Sequence, residues 1–169
     1  TLNLSVNRRY KDIITDFKGI EYLESLKTLV CYNTKVEKMD LRKNTNLELI
    51  SCARTPIKIL DLSKNTKIKK IYCMQCPNLE EIYLCNGNNQ NIEAFNCTFC
   101  INLKTIYVDD LNNIPKSWKV SNQVEYKLCP VSIDIYPKVL IVDNREDIEL
   151  DFKWNKNLLG PFLFTGDNE

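Results

Sequence analysis

The sequence predicts a mainly β fold: a solenoid of short parallel strands, followed by a small C-terminal β region acting as its cap. Three observations carry this expectation. Residues 57–66 read L-x-x-L-x-L-x-x-N with Ile57 in the first leucine slot, and residues 36–45 repeat that wording 21 positions earlier. Self-similarity at such a step marks stacked turns, none of which can bury its apolar face alone. The turns also alternate between a half that ends in cysteine and a half that ends in leucine or valine. Finally, Ile14, Phe17, Ile20, Leu23, Leu26 and Leu29 recur at every third position. That spacing is neither a helix period nor a strand period and suits a tight polygonal coil; an amphipathic helix over residues 20–29 is the competing reading.

Composition narrows the function. Apolar residues make up 44% and charged residues 27%, enough for a buried core and a solvated surface. The formal net charge of +1 gives no global field that would gather nucleic acid or anionic lipid. No apolar run reaches the roughly 18–20 residues of a membrane span. Histidine is absent, which removes Ser-His-Asp and Cys-His catalysis and every histidine-containing metal site. Only four glycines are present, too few for a glycine-rich phosphate loop. The expectation is a non-catalytic protein without cofactor or metal.

The array begins at Leu26. Leu26-x-x-Leu29-x-Cys31, Leu47-x-x-Ile50-x-Cys52, Ile68-x-x-Ile71-x-Cys73 and Ile92-x-x-Phe95-x-Cys97 are the cysteine halves. Val36-x-x-Met39-x-Leu41, Ile57-x-x-Leu60-x-Leu62, Leu79-x-x-Ile82-x-Leu84 and Leu103-x-x-Ile106-x-Val108 are the leucine halves. The longer third step contains Asn86-Gly-Asn-Asn-Gln90, a turn-rich insert that bulges outward. The last apolar positions of each half alternate as in a short strand, so Cys31, Cys52, Cys73 and Cys97 should form an inward column of small, soft side chains. Asn44 and Asn65 fall where a side-chain amide can satisfy backbone groups freed by each turn. Thr34, Thr55, Cys76 and Cys100 hold the matching slots of the cysteine halves, and the later turns are expected to lack the asparagine.

Residues 26–108 resemble a leucine-rich repeat array. The alternation of L-x-x-L-x-C with L-x-x-L-D-L-S-K-N-T resembles the short repeats of secreted and surface proteins of the Bacteroidetes and related gut bacteria. Residues 14–23 (I-T-D-F-K-G-I-E-Y-L) are similar to the entry turn of internalin-like arrays. The resemblance implies a secreted or cell-envelope protein that binds a partner; it does not say which partner.

The domain expectation is an N-terminal cap and entry turn over 1–25, the array over 26–111, and a closing segment and β-cap over 112–169. Residues 1–11 read as a terminal strand or arm. Trp118, near Pro115, is a large lid for the open end of the core. Strand alternation follows over 131–136, 139–142 and 148–154, read as a β-cap, with a truncated sandwich domain as the second reading.

Cys73-x-x-Cys76 with Cys97-x-x-Cys100 has the outline of a four-cysteine zinc site. The repeat explains Cys73 and Cys97 without metal, because Cys31 and Cys52 fill the same slot alone. An extended stretch over 73–76 would also part its two sulfurs by about 10 Å, too far for one tetrahedral ion. Most thiols are expected to be free and buried, with Cys85 and Cys129, outside the column, reactive or paired. The acidic clusters lack calcium-loop spacing and the lysines at 64, 67, 69 and 70 lack interleaved aromatics, so both read as solvated faces.

If Leu60 and Leu62 point inward, Ile59, Asp61 and Ser63 point outward. Their stacked neighbours are Asp40 and Arg42 on one side, then Glu81 and Tyr83, then Tyr107. This face, taken as the concave one, is the candidate surface for a protein or peptide partner, or for a glycan. The other reading is a spacer or display domain that holds another part away from an anchor.

Overall fold

The computed structural model describes residues 1–5, 14–121 and 123–130. These belong to the first of two compact units, Thr1–Ser132; the second is Ile133–Glu169. The strands expected after residue 130 therefore lie outside the described residues.

Among the described residues nine short strands follow in order: β1 (Leu2–Asn3), β2 (Thr28–Val30), β3 (Leu49–Ser51), β4 (Ile59–Asp61), β5 (Lys70–Tyr72), β6 (Glu81–Tyr83), β7 (Ala94–Asn96), β8 (Thr105–Val108) and β9 (Glu125–Leu128). The cysteine halves form one parallel sheet in the order β1-β2-β3-β5-β7, and the leucine halves form a second in the order β4-β6-β8-β9. Together they make a parallel-strand solenoid of about five turns. Three short 3-10 turns are its only helical elements among the described residues. One of them, Ile20–Tyr22, replaces the helix considered over 20–29.

The register follows the repeat. Leu29, Ile50, Ile71 and Phe95 are successive partners across the first sheet, and Leu60, Ile82 and Ile106 across the second. All of these side chains are buried, as are Cys31, Cys52, Cys73 and Cys97. A buried Leu or Ile contributes about 1.5–3 kcal/mol over its exposed state, so this interior column is the main source of stability.

The corner after each cysteine half needs a left-handed residue. Asn33, Arg54, Gln75 and Phe99 occupy it, with φ of 62°, 57°, 57° and 61°. This backbone turns the N–H groups of Asn33, Arg54 and Gln75 onto Ala53, Met74 and Thr98 carbonyls of the following turn, at 2.9–3.0 Å.

Side-chain ladders tie turn to turn. Asn44 Nδ2 donates to the Ile20 and Leu23 carbonyls, and Asn65 Nδ2 to those of Leu41 and Asn44. The ladder does not stop there, contrary to expectation. Asn86 Nδ2 donates to the Leu62 and Asn65 carbonyls at 3.2 and 3.4 Å. The insert shifts the asparagine one place earlier than the motif, yet the backbone returns it to the slot. In the cysteine halves Thr34 and Thr55 hydroxyls donate to the Cys31 and Cys52 carbonyls, and the thiols of Cys76 and Cys100 donate to the Cys52 and Cys73 carbonyls.

Charges alternate along two further columns. Glu48 sits between Lys27 (3.5 Å) and Lys69 (3.7 Å), and Glu80 between Lys58 (3.3 Å) and Lys104 (3.5 Å). Exposed pairs of this kind stabilise little. Their alternation matters more for register, because a one-turn slip would set like charges together.

Two further expectations are corrected. Residues 36–41 form no strand. Val36 and Leu41 are buried as the repeat requires, but no backbone hydrogen bond joins this stretch to β4, so the second sheet starts at β4, after β1, β2 and β3 of the first. Residues 73–76 are a turn with Gln75 left-handed, not an extended stretch, so the distance argument against a shared ion does not apply to them. What the turn does is aim the Cys76 thiol at the Cys52 carbonyl, 3.2 Å away.

Candidate functional site

The outward residues of the second sheet form two rows. Register aligns Ile59, Glu81, Thr105 and Glu125 in one, and Asp61, Tyr83, Tyr107 and Lys127 in the other. Alternation puts all eight on the side opposite Leu60, Ile82 and Ile106. Thr105 nonetheless is buried, enclosed between its larger neighbours, whereas Ile59 keeps 45% of its surface exposed.

Tyr83 and Tyr107 are stacked, with ring centroids 4.4 Å apart and planes within 10°. The stack runs along the direction in which strands succeed one another. Each ring therefore covers one face of the other. Tyr83 donates its hydroxyl proton to Glu81 Oε2 at 2.8 Å. Burial against its neighbours, and then this bond, push the Tyr83 phenol well above its ordinary value, so it stays protonated. On the far side of Tyr107, Lys127 pairs with Glu125 at 3.0 Å, which raises the Lys127 ammonium.

Asp40 and Arg42 lie in the turn before β4, and the structure binds them to each other. Arg42 Nε and Nη2 reach the two Asp40 carboxylate oxygens at 2.8 and 2.6 Å. The guanidinium hydrogen bonds bring the Asp40 carboxyl down to about 2. Because residues 36–41 are not in the sheet, this pair does not continue the rows. With Lys38 and Asp61 it borders a hollow of about 230 Å³. Asp61 in turn caps the corner, accepting the Ser63 N–H at 2.9 Å. Of the expected residues, then, Ile59, Asp61, Glu81, Tyr83 and Tyr107 share one continuous face, and Asp40 with Arg42 forms a separate ion pair beside it. The spacing missed Lys127 and Glu125, since β9 follows the last recognisable repeat by an irregular segment.

At the insert, Glu48, Lys67, Lys69, Asn88, Gln90 and Glu93 border a larger open groove of about 560 Å³. Its polar groups are already engaged within the chain: Lys69 with Glu48, Lys67 with Asn46, Asn88 with the Ile68 carbonyl, Glu93 with Lys70 and Gln90 with the Asn113 carbonyl.

Among the described residues no group of three or more Cys, Asp or Glu side chains is arranged to hold a metal ion. The two cysteines outside the column form a disulfide, Cys85–Cys129, with Cα atoms 5.5 Å apart. The other six are free and buried. Burial pushes the Cys31 thiol up to about 12.

Sheets, register and ladders together define the chain as a parallel-strand solenoid repeat protein. No protein-family model matches it, and no curated protein does either.

Proposed function

We propose that this is a non-catalytic leucine-rich repeat protein of a bacterial cell surface or exterior. Its binding surface is the outward face of β4, β6, β8 and β9, and its partner is a protein or peptide. The observation that carries this is the Tyr83–Tyr107 stack, flanked by Asp61, Glu81 and Lys127 and bordered by exposed Ile59. Aromatic residues held rigid by a scaffold give contact area at little entropic cost, and tyrosine is enriched where binding energy concentrates. Each ring covers one face of the other, which fixes both side chains ahead of binding. The charged groups beside the stack, Asp61, Glu81 and Lys127, favour a polypeptide, which offers backbone hydrogen-bonding groups and charged side chains.

The leucine-rich repeat reading is supported by the 21-residue step, the strands at the L-x-L positions and the asparagine ladder. The envelope or exterior reading is supported by the Cys85–Cys129 bond, since disulfides persist in oxidising compartments.

A photo-crosslinking side chain at Ile59 should trap a partner that the same group at Ser51, on the other sheet, does not. Tyr83→Ala/Tyr107→Ala should abolish that adduct while leaving the thermal midpoint within a few degrees of wild type. Equal trapping from both sheets, or trapping indifferent to the double substitution, rules the face out.

A further inference from the structure

We propose that Cys85–Cys129 is a redox-active site, a latch whose reduction by a dithiol releases β9 while the coils beneath it stay folded. The first observation is how β9 is otherwise held. Among the described residues its strand partner is β8, through a four-residue register. Tyr126 and Leu128 stand in register with inward Ile106 and Val108, yet Tyr126 is only partly buried and Leu128 is 56% exposed. The equivalent positions of every earlier strand of this sheet are fully buried. Glu125 and Lys127 pair chiefly with each other. Side-chain packing is therefore thinner at β9 than at β4, β6 and β8: Tyr126 reaches the edge of the core and Trp118, with ring centroids 6.4 Å apart, while Leu128 stays exposed.

The second observation is where the covalent bond runs. It joins the residue after β9 to Cys85, two residues past β6, beyond the ends of both strands, and closes a 44-residue separation. Among the described residues it is the only covalent tie at that end; the ladder to β8 and the Cys129 N–H on the Val108 carbonyl are hydrogen bonds. The third observation is access. Cys85 and Cys129 are half-buried at the surface, whereas the six free thiols lie inside. A reductant thus meets this disulfide and little else, and exposed disulfides are the labile class.

The chemistry balances. One thiolate of a dithiol reductant attacks a sulfur of the pair, forms a mixed disulfide and expels the other cysteine, which takes up a proton. The reductant's second thiol, losing its proton, then closes its own disulfide and expels the second cysteine. Cys85 and Cys129 together gain two electrons and two protons, and the dithiol loses them. Release of β9 also removes Lys127 and Glu125 from the tyrosine face, so the same step alters that surface; the latch itself stands whether or not the face binds.

The test is hydrogen–deuterium exchange on the intact protein with and without a dithiol reductant, under native conditions. The Glu125 and Cys129 amides, which donate to the Lys104 and Val108 carbonyls, should exchange at least tenfold faster after reduction. The Cys52 and Leu62 amides, bonded to Tyr72 and Tyr83 carbonyls, should not change. Two thiols should become alkylatable. Cys85→Ser/Cys129→Ser should show the fast pattern without reductant and no further response to it. Unchanged exchange at β9, acceleration spread through all coils, a bond that resists native reduction, or a double variant that fails to fold would each overturn the latch.

Discussion

Asn65 shows what one side chain can do in such a coil. Its amide donates to two carbonyls of the preceding turn, at 3.1 and 2.8 Å, and no water reaches either. Asn65→Ala would strip one of the two hydrogen bonds that each carbonyl accepts, leaving the Asn44 and Leu47 N–H groups as their remaining donors, at about 1–2 kcal/mol. Asn86→Ala should cost less, about 1 kcal/mol, because its bonds are longer and its site is closer to solvent. Urea midpoints of the two variants would check the order. The thiol column makes a second demand at this scale. A thiol raised on folding binds its proton more tightly in the native state than in the unfolded chain. Its contribution is therefore complete below the ordinary value near 9 and is lost as pH climbs toward 12. Stability should be flat from pH 6 to 8 and fall progressively above 9, read as the urea midpoint against pH. The 21-residue step alone identified which residues point inward. The Asn86 rung was missed because the insert displaced it from the motif, although Asn44, Asn65 and Asn86 keep a constant spacing of 21 that would have exposed it.

At the scale of elements, the two ends of the core are finished differently. In the first sheet Trp118 lies over Phe95 at 4.7 Å, and Lys119 bridges to β7. The expected lid is in place, and Trp118→Ala should cost about 3 kcal/mol, while Trp118→Phe should cost much less. A chemical unfolding series across both variants would measure this. The first leucine half shows where sequence and structure part. Val36, Met39 and Leu41 match the repeat, yet no strand forms, since pairing depends on where a neighbour's backbone lies rather than on its apolar spacing. The Cys85–Cys129 pairing was legible only to the extent that both residues fell outside the column. Which of them meet depends on the irregular path between β8 and β9.

For the molecule as a whole, each turn touches chiefly the turns beside it, so stability should vary along the axis rather than be shared evenly. Amide protection should be greatest in β3 to β6 and decline toward β1 and β9, a profile that native-state exchange would map. Raising salt to about 1 M should move the thermal midpoint by no more than a few degrees, since the charged columns are exposed and individually weak.

Those columns have one more consequence. Reading along the axis, Lys27, Glu48, Lys69 and then Glu93 alternate in sign, as do Lys58, Glu80 and Lys104. Duplicating the single turn 47–67 would place glutamate on glutamate in one column and lysine on lysine in the other. Duplicating the pair of turns over 47–91 would preserve both sequences of sign. The rod has a parity: by its own surface chemistry it lengthens most readily two turns at a time.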